Sequence, residues 1–230
     1  YPQFSILDPE TTYTLPTQQV ANGIADAFTH VMEQYMTYPV DAQVQDRMAE
    51  GILQTLIDIA PDALAKTDDY ASRANFMWAA TMALNGLLAV GVPTDWATHQ
   101  IGHELTALHG IDHARTLAVV LPHLLKHQLA HKEAKLVQYG TRVWGLKGEP
   151  SEVALQAIEK TAAFYESLGI PTKASAYGIG QDTVVEVKAR FVARGMNFGE
   201  RATITPDVVE EILRIYGYNN IPIPAKLNIS

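Results

Sequence analysis

The segment TQQVANGIADAFTHVMEQY, Thr17 to Tyr35, decides the fold class. Its apolar residues Val20, Ile24, Phe28, Val31 and Tyr35 recur three or four positions apart, the spacing that lines one face of an α-helix. Thr17 reads as the N-cap and Pro39 as the stop. Asp26 and His30 are four residues apart, so they share a second, polar face with Asn22 and Gly23 as neighbours.

The same period continues downstream. Asp41 is expected to cap a second helix that buries Val44, Met48, Ile52 and Leu56. The Ala- and Met-rich run Tyr70 to Val90 reads as a central helix buried all round and ending at Gly91. Thr94 or Asp95 caps a fourth helix to Gly110, and a fifth runs from Asp112 or His113 through Pro122 towards His131. Further helices are expected at Ala134 to Trp144, Ser151 to Leu168, Asp182 to Arg194 and Pro206 to Tyr216. No alternating β-branched run exceeds four or five positions, and no internal repeat is present. The expectation is an all-α, multi-helix bundle over residues 1–216, followed by an irregular tail at 217–230 carrying Pro222 and Pro224. That tail reads either as an ordered extension or as a cloning-derived addition.

Composition narrows the classes. With 47% hydrophobic and 18% charged residues over 230 positions, the chain can bury a sizeable core. A formal charge of −8 weighs against nucleic acid and anionic membranes as partners. The absence of cysteine excludes disulfides, thiolate metal sites and a cysteine nucleophile, and fits a reducing compartment, so a cytoplasmic location is expected. Tyr1 to Leu15 has neither a basic n-region nor an initiator methionine, which reads as a fragment or a processed chain. The apolar stretch Thr81 to Val92 is too short and interrupted to span a bilayer.

Chemistry is concentrated in Asp26, His30 and the stretch His99-Gln-Ile-Gly-His103-Glu-Leu-Thr-Ala-Leu-His109-Gly-Ile-Asp-His113. One carboxylate and several imidazoles from two helical segments can enclose a first-row divalent metal, Fe(II) or Zn(II) on ligand type. Each piece also has a plain reading: Asp26 and His30 as a surface ion pair, and His99 and His103 as two partly buried histidines. Gln100 follows His99 where a zincin helix needs glutamate. His109 reads as a helix-dipole partner, and His123, His127 and His131 as one rim face. Trp78 and Trp96 read as core, with pocket wall as the alternative. Gly178-Ile-Gly180 is a turn rather than a dinucleotide loop, and no Gly-x-Ser-x-Gly occurs.

Two functional readings rest on these residues alone: a non-redox helical metallohydrolase, and a structural metal-binding module without turnover. The hydrolase lacks a Lys/Arg cluster placed for phosphate.

Leu15-Pro16-x-x-Gln19-x-Ala21-Asn22-Gly23-x-x-Asp26-x-Phe28-x-His30 resembles the metal-binding helix of the iron-containing alcohol dehydrogenases. Trp78 to Gly86, Gly91 to Thr106, Gly110 to Ala114 and Leu121-Pro122 are similar to that family's second signature. The resemblance is closest to the branch of NADPH-dependent aldehyde reductases and butanol dehydrogenases. It implies the C-terminal helical domain of the dehydroquinate synthase-like type, with metal ligands Asp26, His30, His99 and His113. It implies that His103 lies beside the nicotinamide ring, a catalytic and cofactor-binding role. NADP(H) or NAD(H) would be held mainly by a nucleotide-binding domain of the same enzyme, which these residues do not include. The resemblance favours a third reading, a metal-assisted oxidoreductase with small aldehydes and alcohols as the implied substrates, and a homodimer is an implied assembly.

Overall fold

A computed structural model describes residues 3–215, of Ile215 the backbone alone. Its helices are α1 (Thr17–Tyr35), α2 (Gln43–Ala65), α3 (Tyr70–Ala83), α4 (Ala97–His109), α5 (His113–His127), α6 (Leu129–Arg142), α7 (Pro150–Ser167), α8 (Gln181–Arg194) and α9 (Pro206–Ile215), with short 3-10 turns at Pro9–Thr12 and Ala174–Tyr177. Among the described residues the one β feature is an isolated antiparallel bridge between Phe198 and Ile204. The all-α expectation holds. No described helix is long and apolar enough to cross a membrane. The expected tail at 217–230 lies outside the described residues.

Two cores share one helix. The larger packs α1, α2, α3, α6 and α7 around Phe28, Leu53, Leu56, Tyr139 and Tyr165. The smaller packs α4, α8 and α9 around Ile101, Leu105, Val187, Phe191 and Ile212. Helix α5 faces both: Ala118, Leu121 and Leu125 enter the first core, while Val119, Val120 and Leu124 enter the second. A helix that is apolar on opposite faces must sit between two layers, and α5 is therefore the central helix.

That corrects the expectation for residues 70–90. Helix α3 stops at Ala83, and Trp78 is 59% exposed rather than core. Asn85 Oδ1 accepts from the backbone of Leu87 at 3.0 Å, and Gly86 takes φ +91, a turn that Ala- and Met-richness cannot override. Helix α2 is also rotated from the expected face. Val44 is 67% exposed, and the buried apolar residues are Ala49, Leu53, Leu56, Ala60 and Ala63. Glu50 turns inward to Tyr35, Gln138 and Arg142, while Asp41 takes φ 55 and accepts from the Gln43 side chain without capping the helix. The fifth helix breaks at Gln128, so His123, His127 and His131 do not form one face. His123 is half-buried with Nδ1–H donated to Val119, His127 contacts Glu211 at 2.9 Å, and His131 is exposed.

Candidate metal centre

Gln18, Asn22, Asp26, His30 and Gln34 fall at successive turns of α1, one residue per turn along one face. Gly23, by contrast, faces α3: a Cβ there would lie 2.8 Å from the Phe76 ring. On α4, His99 and His103 are one turn apart. Gly102 between them lets α5 approach, since a Cβ at that position would meet Leu117 Cδ2 at 2.9 Å and Thr116 Oγ1 at 3.1 Å. Gly110, at φ +65, turns the chain back so that α5 starts at His113 beside α1.

These three helices bring one donor atom each from Asp26, His99 and His113 to within 4.8 Å of one another. His113 Nε2 lies 3.6 Å from Asp26 Oδ1. His30 lies against this trio, its ring 4.3 Å from that of His99. Its Nδ1 lies 2.8 Å from the Asp26 carbonyl and 3.3 Å from Asp26 Oδ2, and against the opposing effect of burial these contacts with Asp26 raise the imidazole above its ordinary 6.5. Trp96, half-buried and at φ 62, sets ring edges against His30 and His99, a wall of the site rather than core. His103 is exposed at the mouth and stacks on His113 with centroids 4.8 Å apart. His109 bonds Thr183 at 2.8 Å and takes no part.

The electrostatics favour cation binding. Burial lowers His99 and His113 to about 4, so both imidazoles are neutral near pH 7 with lone pairs available. Burial alone would raise Asp26, but the His30 hydrogen bond and charge outweigh it and keep the carboxylate ionised. Asp26 Oδ1, His99 Nε2 and His113 Nδ1 are buried without a hydrogen-bond partner. Buried polar atoms left without a partner are costly unless an ion or water meets them.

Glu33 was not picked out from the sequence. It is 2% exposed and accepts from the backbone N–H of Thr98 at 2.5 Å and of His99 at 3.3 Å, capping α4 from another helix. Its Oε2 also meets His99 Nδ1, a carboxylate behind a candidate ligand histidine. Burial and the Asp95 carboxylate push Glu33 up to about 8. Its backbone carbonyl accepts from Asp95 N at 2.9 Å, and Asp95 in turn pairs with buried Lys132, which also holds Glu200. Seven residues separate Glu33 from Asp26, nearly two helical turns, and that spacing was the available signal.

A family model described as Fe-containing alcohol dehydrogenase family, C-terminal, matches residues 20–216. The chain belongs to that family. Among this alcohol dehydrogenase family's members, the NADPH-dependent aldehyde reductase YqhD of Escherichia coli is 53% identical over 92% of this chain and 55% of its own length. The NADH-dependent butanol dehydrogenase A of Clostridium acetobutylicum is 40% identical over 94% of this chain and 56% of its own. The solved substrate- and cofactor-free form of the E. coli aldehyde reductase superposes with a TM-score of 0.92 at 51% identity, covering 94% of this chain and 57% of that one. The chain thus spans about half the length of the curated family relatives it matches.

Proposed function

We propose that this chain supplies the metal-holding, substrate-facing part of an oxidoreductase that interconverts small aldehydes and alcohols with NADP(H) or NAD(H). The observation that carries the reading is the convergence of one donor atom each from Asp26, His99 and His113, on three separate helices, within 4.8 Å, with Asp26 Oδ1 and His99 Nε2 buried and unpartnered. Asp26, His30, His99 and His113 would hold Fe(II) or Zn(II), a ligand set without sulfur that either ion accepts. When bound, the ion supplies Lewis acidity towards a carbonyl or alkoxide oxygen. A nicotinamide supplies or accepts the hydride. It would be held mainly by a nucleotide-binding domain of the same enzyme outside these 230 residues, with residues 1–216 as the helical domain.

The chain's own residues do the positioning. Asp26 offsets one positive charge, while two uncharged imidazoles leave the rest unneutralised. Glu33 orients His99, and Trp96 screens the site from water on one side. His103, at the mouth beside His113, would face the nicotinamide and relay the alcohol proton through a ring nitrogen. In the assembled enzyme His103→Ala is expected to lower turnover about 100-fold or more with metal retained; unchanged turnover removes that role.

A chimera tests the whole reading. The chain replaces the corresponding part of the E. coli aldehyde reductase, and NADPH consumption is followed with a short aldehyde such as butanal. Aldehyde-dependent consumption that Asp26→Ala abolishes is expected. A folded, metal-loaded chimera without turnover on any short aldehyde would contradict it.

A further inference from the structure

Helix α5 begins with His113, and the residue at its N-cap is Asp112. Aspartate is among the best N-caps, yet this side chain makes no capping bond. Its Oδ2 instead accepts from Gln18 Nε2 at 2.9 Å and from Asn22 Nδ2 at 2.9 Å, both on α1 and more than 85 positions earlier in the chain. Asn22 is 6% exposed, and its Oδ1 is left buried with no partner, so the amide is oriented towards Asp112 at the expense of its own acceptor. Two local rules are broken at one contact, and such breaks mark places where position matters more than local stability.

The contact sits next to the metal centre. Gln18, Asn22 and Asp26 are successive turns of one helix, about 6 Å apart along its axis. A link from the first two of these turns to Asp112 therefore sets where the following residue, His113, stands relative to Asp26. The arrangement parallels the other half of the site, where Glu33 of α1 caps α4 and orients His99. In each half a carboxylate spans the gap between helices, Glu33 of α1 to the start of α4 and Asp112 at the start of α5 to α1.

We propose that Gln18 and Asn22 are positioning residues which, through Asp112, hold His113 at the distance from Asp26 that a bound divalent ion requires. The inference rests on the metal-centre reading above. The experiment measures Zn(II) affinity by competition with a chromophoric chelator, and the visible spectrum of the Co(II)-loaded chain, for the full chain and its variants. Asp112→Ala is expected to weaken Zn(II) binding about 10- to 100-fold and to shift the Co(II) bands. Asp112→Asn keeps one carbonyl acceptor for the two amides and is expected to recover most of that affinity. Gln18→Ala, at an exposed position that tolerates truncation, gives a loss in the same direction of about 3-fold.

Asp112→Ala and Gln18→Ala with unchanged affinity and spectrum, while His113→Ala loses the ion, would overturn the clamp and leave the metal centre standing. A wild-type chain that binds no Zn(II) or Co(II) would overturn both together.

Discussion

Two groups of polar residues flank helix α1, and they differ in how completely they are paired. Between α1, α2 and α6, Tyr35, Asp46, Glu50, Lys135, Gln138 and Arg142 bond one another. A cavity of about 330 Å³ opens beside them, but none of the buried unpartnered side-chain atoms among the described residues belongs to this group. At the other end of the α1 stripe, Asn22, Asp26, Thr98, His99 and His113 all contribute such atoms. A polar network that satisfies itself holds helices together, whereas unpartnered buried atoms beside three converging donor groups call for a further occupant.

The contrast can be broken most sharply in the paired regions. Lys132→Met leaves Asp95 and Glu200, each 7% exposed at the side chain, without their buried cation. It should destabilise the chain by about 3–5 kcal/mol in denaturant unfolding, and a cost below about 1 kcal/mol would show that the buried pairs are not the supports described. Glu50→Ala should cost about 2 kcal/mol, less because Arg142 reaches solvent. Burial would raise Glu50, yet hydrogen bonds from Arg142, Gln138 and Tyr35 hold it below its ordinary 4.5. Its contribution is therefore present above pH 4.5 and is lost as pH falls through the lowered value. Glu50→Gln should flatten the acid limb of the stability profile, and an unchanged limb would remove this assignment.

The orphaned region should respond in the opposite way. Without metal, Asp26→Ala should change stability by less than about 1 kcal/mol, because its partner His30 is 3.3 Å away at a part-exposed carboxylate and keeps its bond to the residue 26 carbonyl. Added Zn(II) should raise the melting temperature of the wild type and not of the variant. Equal shifts in both would place the ion elsewhere. The smallest effect is expected at Trp78→Ser, within about 0.5 kcal/mol, since the indole is 59% exposed; a large loss would restore the expectation of a core tryptophan.

Much of this was legible in the sequence, for local reasons. The stripe Val20, Ile24, Phe28, Val31 and Tyr35 is buried to 2% or less, and Asp26 and His30 share the face their spacing implies. Helix type is a short-range property, so α7 and α8 appear within a residue or so of expectation, while α1 ends at Tyr35, ahead of the expected stop at Pro39, with Pro16 rather than Thr17 at its N-cap. The failures came where distant partners decide. Glu33 meets His99 across 66 residues, and Glu50 meets Arg142 across 92, so neither their burial nor the rotation of α2 is visible in local pattern. Asn85-Gly86 was a readable turn signal, but the apolar run around it drew the third helix too far.

The most direct test of the central claim is elemental mass spectrometry of the chain purified without chelator or nickel affinity, beside a variant carrying Asp26→Ala and His113→Ala. The account predicts about one iron or zinc per chain, lost in the variant. No metal in the wild type, or the same metal in both, would contradict it.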